Sequence, residues 1–198
     1  MRRTEMAYKD TMSEIKDRRM EMMNLRKNIR DLQASIEPEE VSDYIFSTNG
    51  ADVSLSSLFG QKDTLFVIHN MGKSCVNCTQ WADGFNGVLD HLEDRAAFVV
   101  SSPDVPSVQK TFADSRGWRF RMVSHDGTSF ARDMGYIGEY KGKESFWPGV
   151  SVFKREGDKV KRVSDASFGP WDDYNPVLNL FELIPEGSGD WEPKYSYA

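Results

Sequence analysis

Thr64–Trp81, TLFVIHNMGKSCVNCTQW, decides how the rest of the chain is read. Thr64 to His69 is a compact apolar run of strand length, suited to a central strand buried on both faces. Asn70 to Ser74 contains a glycine and reads as a loop. Cys75 and Cys78 come next, and beyond them Trp81, Phe85, Val88, Leu89 and Leu92 fall on one face of a helix. The order is strand, loop, CxxC, helix. Cysteines at that spacing where a helix begins lie on adjacent turns, close enough to form and break a disulfide with little backbone movement. The helix N-terminus favours a thiolate through its unpaired N–H groups and its dipole, and Lys73 adds a cation nearby. Cys75, at the exposed tip where loop meets helix, is expected to attack. Cys78, one turn deeper, is expected to resolve the mixed disulfide.

The pattern repeats downstream. Ala97 to Ser101 reads as a second buried strand, Val108 to Arg116 as a helix and Phe120 to Ser124 as a further strand, which makes a βαβ unit with a parallel sheet. A short helix is expected near Phe130 to Met134. Val150–Phe153 and Lys159–Val163 flank Arg155-Glu-Gly-Asp158 as a β-hairpin, and Asn175–Leu183 reads as a helix with Pro176 in its first turn. Upstream, Asp43–Ser47 and the stretch from Val53 to Gly60 suggest a strand and a strand running into a short helical turn. The fold class is α/β, a central mixed sheet flanked by helices. The expected divisions are 1–40 as a helical extension, 41–186 as the domain and 187–198 as an irregular tail.

The extension is a charged helix over residues 5–36, free of Gly and Pro and ended by Pro38. Ile15, Met22, Leu25, Ile29, Leu32 and Ile36 form an apolar stripe that calls for cover, and Arg18 breaks the heptad of a long coiled coil. Such a helix is about 48 Å long, more than a compact domain spans, so a homodimer through this helix is the expectation.

The chain has 198 residues, 39% hydrophobic and 28% charged, a composition that excludes wholesale disorder. Its net charge is −6. Residues 1–30 hold nine Lys/Arg against five Asp/Glu, leaving an acidic body that argues against nucleic-acid binding. No apolar run reaches the roughly 20 residues of a bilayer span, and the start carries no secretory signal, so a cytoplasmic location without membrane attachment is expected. In a reducing cytosol two cysteines at this spacing point to catalysis or metal binding rather than a staple. A zinc site would need two further ligands. There is no second CxxC, and His69, His91 and His125 lack ligand spacing, so neither metal nor cofactor is expected. His91 and His125 read as surface residues.

With these residues in view, the chain resembles the thioredoxin superfamily. TLFVIHNMGKSCVNCTQW matches its strand, CxxC and helix, and Pro148-Gly-Val-Ser-Val-Phe-Lys154 matches the segment that opens its closing hairpin. The resemblance implies a cis bond between Trp147 and Pro148, and a substrate groove shaped by Pro148 with Trp147, Lys73 and Trp81 around the dithiol. It also implies that His69 approaches Cys78 from the interior, where it could carry a proton to and from the resolving thiol. A structural, hydrogen-bonded histidine is the other reading. ADVSLSSLFG and FRMVSHDGTSFARDMGY resemble peroxiredoxins, although the Pro and Thr or Ser that precede a peroxidatic cysteine are absent around Cys75. Over nearly the whole chain, Trp81–Phe85 (WADGF) and Gly117–Phe120 (GWRF) resemble a bacterial domain-of-unknown-function family labelled predicted dithiol-disulfide isomerase. The implied activity is thiol–disulfide exchange, with a disulfide substrate and a thiol electron donor as partners. A thiol peroxidase and a non-catalytic binding module are the alternatives.

Overall fold

The structure, a computed structural model, describes residues 8–169 and 172–197. In chain order it runs α1 (Tyr8–Ala34), β1 (Glu39–Val41), β2 (Ile45–Phe46), β3 (Val53–Ser54), a 3-10 turn (Ser56–Phe59), β4 (Thr64–His69), α2 (Val76–Gly87), α3 (Leu89–Arg95), β5 (Ala97–Ser102), α4 (Pro106–Arg116), β6 (Arg121–Ser124), α5 (Phe130–Asp133), β7 (Ile137–Tyr140), β8 (Lys143–Phe146), β9 (Gly149–Glu156), β10 (Lys159–Ser167) and α6 (Pro176–Phe181).

Two compact units separate between Glu37 and Pro38. The first holds α1, none of whose residues is buried. It ends two residues before the expected Ile36, where the Ser35 hydroxyl and amide both bond back to the Leu32 carbonyl. Residues 5–7 of the expected helix lie outside the described residues. Arg18, the break in the apolar stripe, pairs with Glu21 and Glu14 along the helix surface. The second unit starts at Pro38 rather than residue 41, because Glu39–Val41 adds an edge strand to the sheet.

That sheet has the order β1-β10-β9-β4-β5-β6. β4, β5 and β6 are parallel, while β9 runs antiparallel to β4, as do β10 to β9 and β1 to β10. The mixture follows from the connections: helices carry the chain across between the parallel strands, and a two-residue Gly157-Asp158 turn closes the β9–β10 hairpin. Alternation along β4 sorts the core into two layers. Leu65 and Val67 join Val99, Val123, Phe130 and Phe153 on one face. Ile68 joins Trp81, Ala82, Phe98 and Val100 on the other, which is the face that α2 covers.

Two local expectations are corrected, and one hairpin is new. The helix after the CxxC breaks at Val88, where φ −115° and ψ 14° end α2 and open α3, so that Leu89 is buried while Val88 is exposed. The glycine-containing stretch before Pro148 is a second hairpin, β7–β8, turned by Lys141 (φ 52°) and Gly142 (φ 75°), the pair of left-handed residues that a tight hairpin turn uses. Finally, the Trp147–Pro148 bond is trans. The new hairpin holds the residue before the proline: the Trp147 amide bonds to the Tyr136 carbonyl at 2.9 Å and its ring covers Gly138.

Gly149, next in the chain, has no room for a side chain. A Cβ there would lie 2.2 Å from Tyr136 Cε1 and 2.6 Å from the Ala166 carbonyl oxygen. The glycine lets the Tyr136 hydroxyl donate to the Val150 and Ala166 carbonyls, at 3.0 and 3.2 Å, and so fixes the start of β9.

Candidate functional site

The site grows from the carboxyl end of β4. Gly149 is in register with His69, which puts Pro148 at the same end of the sheet as the loop that carries Cys75. That loop is tightly held. The Asn70 amide bonds to the Ser101 carbonyl at 2.9 Å, and the Asn70 side chain accepts from the Gly72 amide at 2.8 Å. Gly72 takes φ 99°, which glycine adopts without steric cost. Its backbone then runs so close to Asp104 that a Cβ would approach the carboxylate to 3.0 Å, while Asp104 accepts the Lys73 amide at 2.7 Å. The Lys73 carbonyl in turn accepts the Tyr195 hydroxyl at 3.0 Å.

Cys75 is the N-cap of α2. In extended conformation (φ −92°, ψ 102°), its sulfur accepts the Cys78 amide at 3.1 Å. A capping position normally filled by a hydroxyl or carboxylate is here filled by a thiol, so the helix's free N–H groups solvate a sulfur anion. The Cys75 thiol is brought down to about 7 by hydrogen bonding from the Cys78 thiol and from the Cys78 and Asn77 amides, against an opposing effect of burial. These donors, and not Lys73, whose side chain is exposed, do the lowering. Cys78 is 3% exposed and shifted strongly upward, first because its thiol donates to Cys75, then by burial and by repulsion from charge on Cys75. Both cysteines are free thiols, one half-exposed and one buried. Met71 Sδ lies 4.0 Å from Cys75 Sγ, and the Thr79 hydroxyl donates to the Cys75 carbonyl at 3.0 Å, securing the first turn.

The other expected site residues distribute unevenly. Lys73 sits beside the dithiol in sequence and lends its backbone to the loop. Trp81 is 6% exposed and packs against Phe168, so it is a core residue rather than a groove wall. It faces the sheet because it lies three residues beyond Cys78 on the inner stripe of α2. Trp147 is half exposed, at right angles to Tyr140. His69 is buried, but strand alternation turns it away from α2: its Nε2 is 2.9 Å from Ser151 Oγ and its ring stacks on Tyr136 at 3.7 Å. These are the contacts of the hydrogen-bonded reading. Its neighbour on the same face is His125, expected at the surface but buried, with Nδ1 2.7 Å from Ser101 Oγ.

Burial holds His125 at about 4 and His69 well below 6.5, so both are neutral at pH 7. His69 Nδ1 and His125 Nε2 have no hydrogen-bond partner among the described residues. No group of three or more His, Cys, Asp or Glu among the described residues is placed to hold a metal ion, and no described helix is long and apolar enough to cross a membrane.

Asp104 and Tyr195, which hold the loop, are the residues sequence reasoning missed. Neither carries a local signal: Asp104 lies in a turn, and Tyr195 lies 120 residues from Cys75 in a segment read as irregular.

Solved structures share this architecture. Peroxiredoxin Q of Xanthomonas campestris superposes with a TM-score of 0.57 at 19% identity, over 71% of this chain and 90% of that one. Peroxidoxin BcpB of Mycobacterium tuberculosis gives 0.54 at 22%, over 66% and 84%. PrxQ of Xylella fastidiosa gives 0.56 at 15%, over 74% and 94%. The fold is thioredoxin-like, shared with these peroxiredoxin structures. No curated protein sequence matches. The model of DUF899, described as bacterial protein of unknown function, matches residues 4–197, and the chain therefore belongs to that family.

Proposed function

We propose that the protein is a thiol–disulfide oxidoreductase whose working group is the Cys75–Cys78 pair. The observation that carries this reading is the asymmetry of the pair: a half-exposed sulfur capping a helix, set to ionise near neutrality, beside a buried thiol that donates to it. The Cys75 thiolate attacks one sulfur of a substrate disulfide. The substrate S–S bond breaks, a mixed disulfide forms, and the first product leaves as a thiolate. Cys75 then carries no charge and accepts no hydrogen bond from Cys78, so two of the three causes that hold Cys78 protonated disappear. Cys78 gives up its proton, attacks Cys75 Sγ and releases the second product. Two electrons pass to the substrate, which becomes two thiols, and the protein is left with an internal disulfide that an external dithiol must reduce.

The reading is tested by alkylation of the reduced protein with iodoacetamide across pH, with the modified residue mapped. Cys75 should label first, with a half-maximal rate near pH 7 rather than near the ordinary 9.0. Labelling of Cys78 ahead of Cys75, or a Cys75 profile that still climbs at pH 9, would reverse the roles.

A second reading, a thiol peroxidase using Cys75 as the peroxidatic sulfur, is favoured by the peroxiredoxin structures that share the fold. Against it, Cys75 is activated here by N–H and thiol donors of its own helix turn. Consumption of hydrogen peroxide with dithiothreitol as reductant, compared with reduction of a peptide disulfide, separates the two: disulfide reduction should be the faster reaction.

A further inference from the structure

The C-terminal segment, residues 172–197, is fastened at one end to α2 and at the other to the loop before Cys75 and to α4. At one end the Asn175 side chain donates to Gln80 Oε1 of α2 at 3.0 Å while also capping α6. At the other, the Tyr195 hydroxyl bonds to the Lys73 carbonyl, the Arg116 guanidinium donates to the Tyr195 carbonyl at 2.5 Å, and the Tyr195 ring meets Phe112 edge-on at 6.2 Å. Arg116 is itself held by Asp83 of α2. Burial first, and then the nearby thiolate of Cys75, hold the Tyr195 hydroxyl above the usual tyrosine range. Between these fastenings the segment stands off from the start of α2 and leaves a cavity of about 290 Å³. Its floor is Val76 and Asn77, the dipeptide between the cysteines. Leu178 and Trp191 line it as well, and so do two acidic residues, Glu182 and Glu192. Trp191 is set by an edge-on contact with Phe181 at 4.9 Å.

We propose that this cavity is the subsite for the residue beside the target cysteine in a polypeptide disulfide, and that it takes an arginine or lysine side chain. The proposal rests on the dithiol reading of Cys75 and Cys78. Position selects the occupant's role: a substrate whose sulfur reaches Cys75 has its flanking residue over Val76 and Asn77. Chemistry selects the occupant: an aliphatic stem lies against Val76, Leu178 and the Trp191 ring, while its cationic head meets Glu182 and Glu192. Among the described residues, no Lys or Arg lines the cavity to compete. The acidic body, with 16 Lys/Arg against 26 Asp/Glu after residue 30, steers cations toward it. A disulfide flanked by carboxylates meets repulsion at the same place.

The test is the rate at which the reduced full-length protein reduces three disulfide-linked dimers of a capped tetrapeptide, carrying arginine, glutamine or glutamate beside the cysteine. Dithiothreitol supplies the intrinsic ratio for the same peptides. At low salt the arginine peptide should react about tenfold faster than the glutamate peptide beyond that intrinsic ratio, and added salt should shrink the difference. Glu182→Gln with Glu192→Gln, and separately Trp191→Ala, should bring the ratio toward the dithiothreitol value, while Glu93→Gln on α3 should leave it in place. An arginine-to-glutamate ratio equal to that of dithiothreitol, or one that survives the double substitution, overturns the subsite. If even the glutamine peptide goes unreduced, the dithiol reading has failed; if all three are reduced alike, only the subsite has.

Discussion

Replacing Cys75 with serine should abolish disulfide exchange, lowering the rate by at least about a thousandfold, because a serine hydroxyl at the same N-cap does not ionise near neutral pH. The fold should survive, since serine is a good N-cap and can accept the same Cys78 amide. Cys78→Ser should behave differently. With Ellman's reagent, reduced wild-type protein should release both equivalents of the nitrothiolate quickly, the second when Cys78 attacks the mixed disulfide. Cys78→Ser should release one and keep the other on Cys75, visible as an adduct by mass. Cys75→Ser should react slowly, because the remaining thiol is 3% exposed. Rapid release from Cys75→Ser, or an adduct that sits on Cys78, would contradict the assigned roles.

Acidification should destabilise the protein through His69 and His125. In the unfolded chain each histidine takes up a proton below about pH 6.5. In the folded chain burial keeps both neutral, His125 down to about pH 4 and His69 well below its ordinary value. The unfolded state therefore binds more protons throughout that window, and stability falls as pH falls from 6.5 toward 4. At pH 5 the loss from His125 is about 2 kcal/mol, enough alone to lower the melting temperature by about 6 °C for a domain of this size, and His69 adds to it in the same direction. His125→Asn, which retains a partner for Ser101, should remove the His125 share of the pH dependence and leave that of His69. Equal slopes for wild type and variant between pH 6.5 and 5 would show that His125 is not held neutral by the fold.

These two histidines also mark where the sequence was and was not legible. The TLFVIH strand and the CxxC at a helix start are local patterns, and each occupies the element expected of it, since an apolar run bounded by a loop has few alternatives. Whether a polar side chain in such a strand points toward α2 or away is set by register: Ile68 and His69 are adjacent in the chain and lie on opposite faces of the sheet. His125 follows a strand in what reads as a polar turn, and its burial depends on Ser101 and Phe146 closing over it from elsewhere. The thioredoxin resemblance implies Trp81 in the groove, whereas the helical stripe sends it into the core. The β7–β8 hairpin before Pro148 was hidden because its turn residues Lys141 and Gly142 lack the Asn-Gly or Asp-Gly signature. The segment over the dithiol was least legible, because Tyr195 is positioned by partners on α4 and the Cys75 loop rather than by any periodicity of its own.

Equilibration of the protein with glutathione buffers of graded potential, followed by acid quench, alkylation and peptide mapping, tests the central claim most directly. The protein should pass between a dithiol and a Cys75–Cys78 disulfide in a single two-electron transition, with no glutathione adduct accumulating at the midpoint. Cysteines that stay reduced across the whole range, or a stable glutathione adduct on Cys75 with Cys78 still free, would show that the pair is not a redox switch.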